Sequence, residues 1–395
     1  MDYQMISVDD HIDIQYLPRD LWTERLPASL RERAPRVVET DAGHAWVCDG
    51  KRWGNWAGGG RPAAPRSYKT ALERAGVAEP GVLRPTIPEL RLADMTSDGI
   101  EATFMFGPIA AFATDDPVLR TAVHRAYNDW LIDFCSSEPK RLYGVAALNG
   151  EDVNAAIEEM RRLARQGSLK QVNFLIGRAK PSIYDESWEP FWAAAEETGM
   201  VVSFHVGGGG AGGGALPANP ADERPYHVFN FTKGFINQFL DPFVGLVGHG
   251  VLDRHPGVKV MLAEVGLGWI PWVVHEMDYR YQRLVDHRDY WAPRGGIGLT
   301  APPSDIWKRN FWVTFQDDPV GLALLPYCNE DHILWASDYP HPDSTFPDSR
   351  RTVEEQMAGI TPAQRKKILR DNAIALYGLE DRVGRGGLVE AVRSE

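Results

Sequence analysis

Four apolar runs in this chain end in residues that can do chemistry. "QMISVDDHID" ends in Asp9, Asp10 and His11, "MVVSFHV" in His205, "VKVMLAE" in Glu264, and "ILWASDYPHPDS" in Asp338 with His341 three residues on. Carboxylate oxygens and imidazole nitrogens are the donors a divalent metal takes. One buried His or Asp is ordinarily a satisfied core residue, but four strand-like runs ending this way point to a shared cation. Side chains alternate along a strand, so Asp9 and His11 face one way and Asp10 the other. Asp9 and His11 are therefore the pair able to share a metal, whereas Asp10 is expected in an N-cap or salt bridge. Asp13 lies past the strand and can approach the same rim. The expected metal ligands are Asp9, His11, His205, Glu264, Asp338 and His341, and the expected catalytic groups are Asp338, Glu264 and His205.

Something must hold these residues together. Eight strand candidates run along the chain, at 4–10, 102–107, 142–148, 169–176, 200–206, 258–264, 311–316 and 333–338. Their interiors are apolar rather than alternating, as in sheets covered on both faces. Helical patterns such as 152–167 and 188–199 lie between them, with Gly167 and Gly199 as C-terminal stops. This rhythm predicts a (β/α)8 TIM barrel, whose strand C-termini point into the active site. A doubly wound sheet would want an early glycine-rich phosphate loop, and the sequence has none there. One barrel domain over 1–395 is expected, with an inserted cap segment at 40–90 after the first strand. A long glycine-rich loop is expected at 207–230 after the fifth strand.

The 395 residues carry a net charge of −12, which disfavours nucleic acid and suits cations. Three scattered cysteines give neither a disulfide framework nor a thiolate zinc site, so a reducing cytoplasm is expected. The acidic N-terminus does not read as a signal peptide, and no apolar run reaches membrane-spanning length. The thirteen tryptophans suit an aromatic-lined pocket for a bulky small molecule. Trp46, Trp53, Trp56, His227, Trp269, Trp272 and Phe346 are its candidate lining, and Arg52, Arg61 and Arg66 can clamp a carboxylate. His124, His249, His255 and His275 read as packing or ion-paired residues.

"VDDHI", "SFHVG", "DRHPGVKVMLAEVGLGWIPW", "RNFWVTFQDDPVG" and "LWASDYPHPDSTFPDS" resemble the amidohydrolase-related enzymes grouped with aminocarboxymuconate-semialdehyde decarboxylase. The resemblance spans nearly the whole chain. It implies a distorted (β/α)8 barrel, one divalent metal, and a hydrolase or non-oxidative decarboxylase. A homodimer fits the same group. Its first-strand His-x-His falls on Asp9 and His11, its fifth-strand ligand on His205 and its eighth-strand aspartate on Asp338. Its sixth-strand histidine falls on Glu264. Both departures replace nitrogen by anionic oxygen, which favours Mn or Fe over Zn. Glu264 then acts as a base or bridges to a second metal. The fourth strand's "NFLIG" offers no lysine to bridge two metals, so one is expected. The alternative is a diiron, oxygen-activating monooxygenase drawing on the same six residues.

Overall fold

Uninterrupted apolar runs need cover on both faces, and the chain supplies it by alternating strand and helix. The structure, a computed structural model, describes residues 3–41, 43–59, 69–108, 112, 114–206 and 225–382; for 225–228, 230, 231 and 233–235 it describes the backbone alone. The first strand, β1 (Met5–His11), is buried throughout. Three strands follow it in a separate antiparallel sheet: β2 (Arg36–Thr40), β3 (Gly43–Cys48) and β4 (Lys51–Asn55). The remaining strands are β5 (Ile100–Phe106), β6 (Leu142–Ala147), β7 (Gln171–Asn173), β8 (Val201–His205), β9 (Lys259–Ala263), β10 (Phe311–Phe315) and β11 (Ile333–Trp335). β1 and β5 to β11 form one eight-stranded sheet in chain order, parallel at every ladder. Its two edges meet, with the Asp338 N–H on the Asp9 carbonyl (2.9 Å) and the His11 N–H on the Tyr339 carbonyl (2.6 Å).

Each of the eight predicted strands has its counterpart here, and the architecture is a nearly closed (β/α)8 barrel. The helices Val153–Gln166 and Glu189–Thr198 end at Gly167 and Gly199, both with positive φ. Two boundaries differ from expectation. β7 stops at Asn173, and a 3-10 turn over Ile176–Arg178 takes up the rest of the predicted run. The helix Pro225–Gly248 begins inside the predicted loop 207–230, of which 207–224 lies outside the described residues. Among the described residues no helix is long and apolar enough to cross a membrane.

The direction of the β1 side chains is set by a bulge. Ile6 and Val8 belong to the buried apolar cluster inside the barrel, with Phe104, Phe106, Val145, Val201, Met261 and Leu334. Strict alternation would next send Asp10 inward. Instead Ser7 pairs with Thr103 and Asp10 with Met105, three steps on β1 against two on β5. The extra residue reverses the alternation, so Asp9 and His11 turn inward at the rim and Asp10 turns out.

Asp10 then becomes a buried knot rather than a cap. Its Oδ1 accepts from the Ser7 hydroxyl (2.7 Å), the Ser337 hydroxyl (2.6 Å) and the Tyr339 N–H (3.2 Å). Its Oδ2 accepts from the Thr103 hydroxyl and lies 3.6 Å from the wholly buried Arg91 guanidinium. Arg91 also donates to the His11 carbonyl (3.0 Å), so it grips β1 twice, while the bonds of Asp10 to Thr103, Ser337 and Tyr339 tie β1 to both of its neighbours. Removing the carboxylate would strand a buried cation and several hydroxyls. Asp10→Ala is expected to lower unfolding free energy by about 3–5 kcal/mol in denaturant titration. A loss within about 0.5 kcal/mol would show that Asp10 is not the knot.

Candidate metal centre

Six side chains that the sequence places on four different strands come together at the C-terminal rim of the barrel. From β1, His11 Nε2 lies 3.5 Å from Asp9 Oδ1 and 3.1 Å from Asp338 Oδ1. From the end of β8, His205 Nε2 lies 3.2 Å from Asp9 Oδ1 and 3.5 Å from Glu264 Oε2. Beyond β11, His341 Nδ1 stands 3.0 Å from Asp338 Oδ1, and its Nε2 stands 3.1 Å from Asp13 Oδ1. The His341 ring stacks on His11 at 3.8 Å. Two triads, Asp9–His11–His205 and His11–Asp338–His341, each gather their donor atoms within 4.8 Å and share His11.

Two of the carboxylates are aimed by backbone that side-chain-bearing residues ordinarily avoid. Glu264 and Asp338 both have φ of 59°. Such a left-handed residue costs on the order of 1–3 kcal/mol, and the surrounding structure must hold it there. At Asp338 the hold is its own N–H on the Asp9 carbonyl. At Glu264 it is the Thr314 hydroxyl, which accepts the Glu264 N–H at 2.7 Å.

The donor atoms themselves are bare. Asp9 Oδ1, His11 Nε2, His205 Nε2 and both Asp338 carboxylate oxygens are buried, and none makes a hydrogen bond among the described residues. Leaving a buried polar atom unpaired costs about 1–3 kcal/mol, so five around one point make an unstable arrangement unless something binds there. The other atoms of these side chains are engaged. Asp9 Oδ2 accepts from Thr314 (3.1 Å), and His205 Nδ1 donates to the Val206 carbonyl (2.6 Å), which leaves Nε2 as the nitrogen that offers a lone pair once its proton is displaced. Two carboxylates and two imidazoles with inward lone pairs fit a hard divalent cation, with Asp9, His11, His205 and Asp338 to hold it and His341 or Glu264 able to approach.

The charges agree with that fit. Burial alone would raise the Asp9 carboxyl, but His205 and His11 outweigh it and hold Asp9 well below the usual range. Burial likewise opposes ionisation of Asp338, yet His341 and His11 carry it below normal. The imidazoles respond in kind. Burial disfavours protonated His205, but Asp9 and Glu264 push its pKa up to about 9, and Asp338 and Asp13 hold His341 well above normal. Glu264 goes the other way: burial and the nearby Asp338 carboxylate raise it well above the ordinary carboxyl value.

The candidate lining residues are placed less uniformly. Trp46 and Trp53 are buried against Trp22, with ring centroids 4.9 and 5.6 Å away, and Trp53 also meets Phe112. Trp56 is half-buried beside His44 and donates to the Leu17 carbonyl. Phe346 is buried edge-on to Tyr339, Trp269 donates to the Val265 carbonyl, and Trp272 is exposed. The side chain of His227, Arg61 and Arg66 lie outside the described residues; Arg52 is exposed and donates to Asn55. His249 stacks on Tyr184, His255 bridges Glu189 and Glu196, buried His124 meets the Arg120 carbonyl, and His275 is exposed. Phe106, Thr314, Arg91 and Asp13 contribute to the site or its support beyond the six expected residues. Phe106 closes β5, and its ring is 4.8 Å from His205. Its signal was its position as the last strand residue, two after the inward-facing Phe104.

A sequence profile described as Amidohydrolase matches residues 43–379. The γ-resorcylate decarboxylase of Rhodococcus jostii (strain RHA1) is 27% identical over 323 residues, which cover 74% of this chain and 88% of that protein. An amidohydrolase of Mycobacterium avium subsp. paratuberculosis K-10 has the same fold, at a TM-score of 0.69 and 22% identity over 96% of this chain and 98% of that one. A dihydroxybenzoic acid decarboxylase of Polaromonas sp. JS666, with bound manganese and the inhibitor 2-nitroresorcinol, aligns at a TM-score of 0.58 and 18% identity, over 95% and 97% of the two chains. Two of these three are named as decarboxylases and none as an oxygenase, so the diiron monooxygenase alternative finds no support and is dropped.

A cation entering the centre must displace the proton that Asp9 and Glu264 hold on His205, whose pKa they push up to about 9. Mn²⁺ affinity, read by titration calorimetry, is therefore expected to rise about tenfold per pH unit from pH 6 to 8 for each displaced proton. Equal affinity across that interval would contradict the assignment, as would undiminished binding by Asp338→Ala. The parallel eight-stranded barrel and a profile match over most of its length lead to one conclusion: the chain, whose barrel rim gathers residues able to hold a divalent cation, belongs to the amidohydrolase family.

Proposed function

We propose that this chain removes a carboxyl group, without oxidation, from an aromatic acid carrying a hydroxyl beside that carboxyl, with Mn²⁺ as its cation. One observation carries the reading. The Glu264 carboxyl, raised above its ordinary value by burial and the nearby Asp338 carboxylate, stands 3.5 Å from His205 at the edge of a cluster of carboxylates and imidazoles whose lone pairs converge on a cation site. The γ-resorcylate and dihydroxybenzoic acid decarboxylases among the relatives support the substrate class, and the manganese bound in the latter supports the metal.

The cation, when bound, supplies Lewis acidity that anchors and polarises an oxygen of the substrate. The protein does the rest. Asp9 and Asp338 together would neutralise a dication, which leaves the Glu264 carboxyl free to serve as the acid. Glu264 delivers its proton to the ring carbon that bears the carboxylate. The bond from that carbon to the carboxylate carbon then breaks, its electron pair returns to the ring, and CO₂ leaves. Water restores the proton to Glu264. Phe106 offers an aromatic face beside His205 for the ring.

The segment at 40–90 serves in this reading as a cap. Its attachment supports that role: Arg74 donates to the carbonyls of Pro342 and Ser344 (each 2.5 Å), and the Ala71 N–H meets the Pro340 carbonyl (3.4 Å). These contacts bind the segment to the loop that carries Asp338 and His341. Phe346 packs in the same seam with Tyr16, Ala71 and Leu72.

Mn²⁺-loaded protein is expected to release CO₂ from a 2-hydroxylated benzoate such as 2,6-dihydroxybenzoate, and the product made in D₂O should carry one deuterium at the vacated carbon. Glu264→Gln should keep its Mn²⁺ and lose at least about 10²-fold in kcat. No CO₂ from any ortho-hydroxybenzoate would refute the proposed reaction, and a fully active Glu264→Gln would refute the acid.

A further inference from the structure

We infer that Thr314 is the positioning residue that couples the metal-facing carboxylate to the proton-donating one. The inference rests on the proposed metal site and concerns a residue on β10, a strand that supplies none of the expected ligands. Thr314 is fully buried. Its hydroxyl touches two parts of the site at once: Oγ1 lies 3.1 Å from Asp9 Oδ2 and 2.7 Å from the Glu264 backbone nitrogen.

The direction of both bonds follows from chemistry. An ionised carboxylate only accepts, so the single hydroxyl proton goes to Asp9. The Glu264 N–H only donates, so a hydroxyl lone pair receives it. Each bond has a separate consequence. Pinning Asp9 Oδ2 leaves Oδ1 as the oxygen that faces His11 and His205, and Oδ1 is the one without a hydrogen-bond partner among the described residues. Accepting the Glu264 N–H secures a residue held at φ 59°, a conformation that a glutamate leaves readily unless something ties it. One hydroxyl thus sets which Asp9 oxygen meets the cation and where the Glu264 carboxyl stands relative to it. Partners of this kind, one bond removed from a metal, ordinarily alter affinity by 10–100-fold when lost.

Thr314→Val keeps the branched shape and removes the hydroxyl, whereas Thr314→Ser keeps the hydroxyl and removes a methyl. Calorimetric titration with Mn²⁺ alone is expected to show affinity about 10–100-fold weaker for the valine variant and within about threefold of the parent for the serine variant. In the Mn²⁺-saturated enzyme, kcat should fall for valine beyond any change in KM, and serine should recover it. If the valine variant does not fold, Thr314→Ala removes the same hydroxyl from a smaller side chain and is read in the same way. A residue that served packing alone would lower the melting temperature of the metal-free protein and leave Mn²⁺ affinity unmoved; that result, or equal losses in the serine and valine variants, would overturn the inference. Failure of the unaltered protein to bind Mn²⁺ would instead remove the metal site itself.

Discussion

Two ionised carboxylates and two imidazoles are buried with their lone pairs aimed at one another, and that is the constraint around which the barrel is organised. Burial penalises each charge, and the donor atoms do not satisfy each other. Protons can occupy the cluster for a time, on His205 and His341, because the carboxylates raise those imidazoles. A divalent cation does the same work without leaving bare oxygens. The cost of assembling such a cluster is spread over the fold. It includes a bulge in β1, two residues with left-handed backbone, and a buried Asp10 that pairs with Arg91 and hydrogen-bonds to the strands on either side.

These supports act on different sides of the same centre. The bulge chooses which acidic residue of the Asp9–Asp10 pair faces inward. Asp10, turned out, holds Ser7, Thr103, Ser337 and the Tyr339 N–H, so the ligand strands β1 and β11 cannot slide past each other without breaking that knot. The Tyr339 hydroxyl extends the network to Asp94 (2.7 Å), which Arg84 grips with two bonds of 2.8 and 2.7 Å. The metal-facing side is charged and its donor atoms lack hydrogen bonds, while on the supporting side the Asp10 and Asp94 carboxylates are each held by several hydrogen bonds. That asymmetry separates a binding site from a structural polar core.

Much of the barrel was legible because its strands are short apolar runs broken by glycine and helix patterns, and burial on both faces leaves that pattern in sequence. The six residues now found together were legible because each stands at the end of such a run. Alternation correctly paired Asp9 with His11, but it could not reveal the bulge, since a bulge is a property of two paired strands. Thr314 was hidden for a related reason: nothing in "FWVTFQ" marks its hydroxyl until Asp9 and Glu264 arrive from elsewhere in the chain. The Asp49–Gly50 turn of the β3–β4 hairpin was readable, since Asp-Gly suits its two positive φ angles of 51° and 78°, yet the segment 40–90 was expected only as an inserted cap, without its strands. Tryptophan count was ambiguous by nature. Trp46 and Trp53 spend their area on packing with Trp22, and composition does not distinguish a packed ring from a pocket wall.

Anomalous diffraction at the manganese edge, from crystals grown with Mn²⁺, addresses the central claim most directly. A single anomalous peak at bonding distance from Asp9 Oδ1, His11 Nε2, His205 Nε2 and an Asp338 oxygen is the predicted result. No peak at the barrel rim, with those four side chains hydrogen-bonded to one another or to water instead, would contradict it.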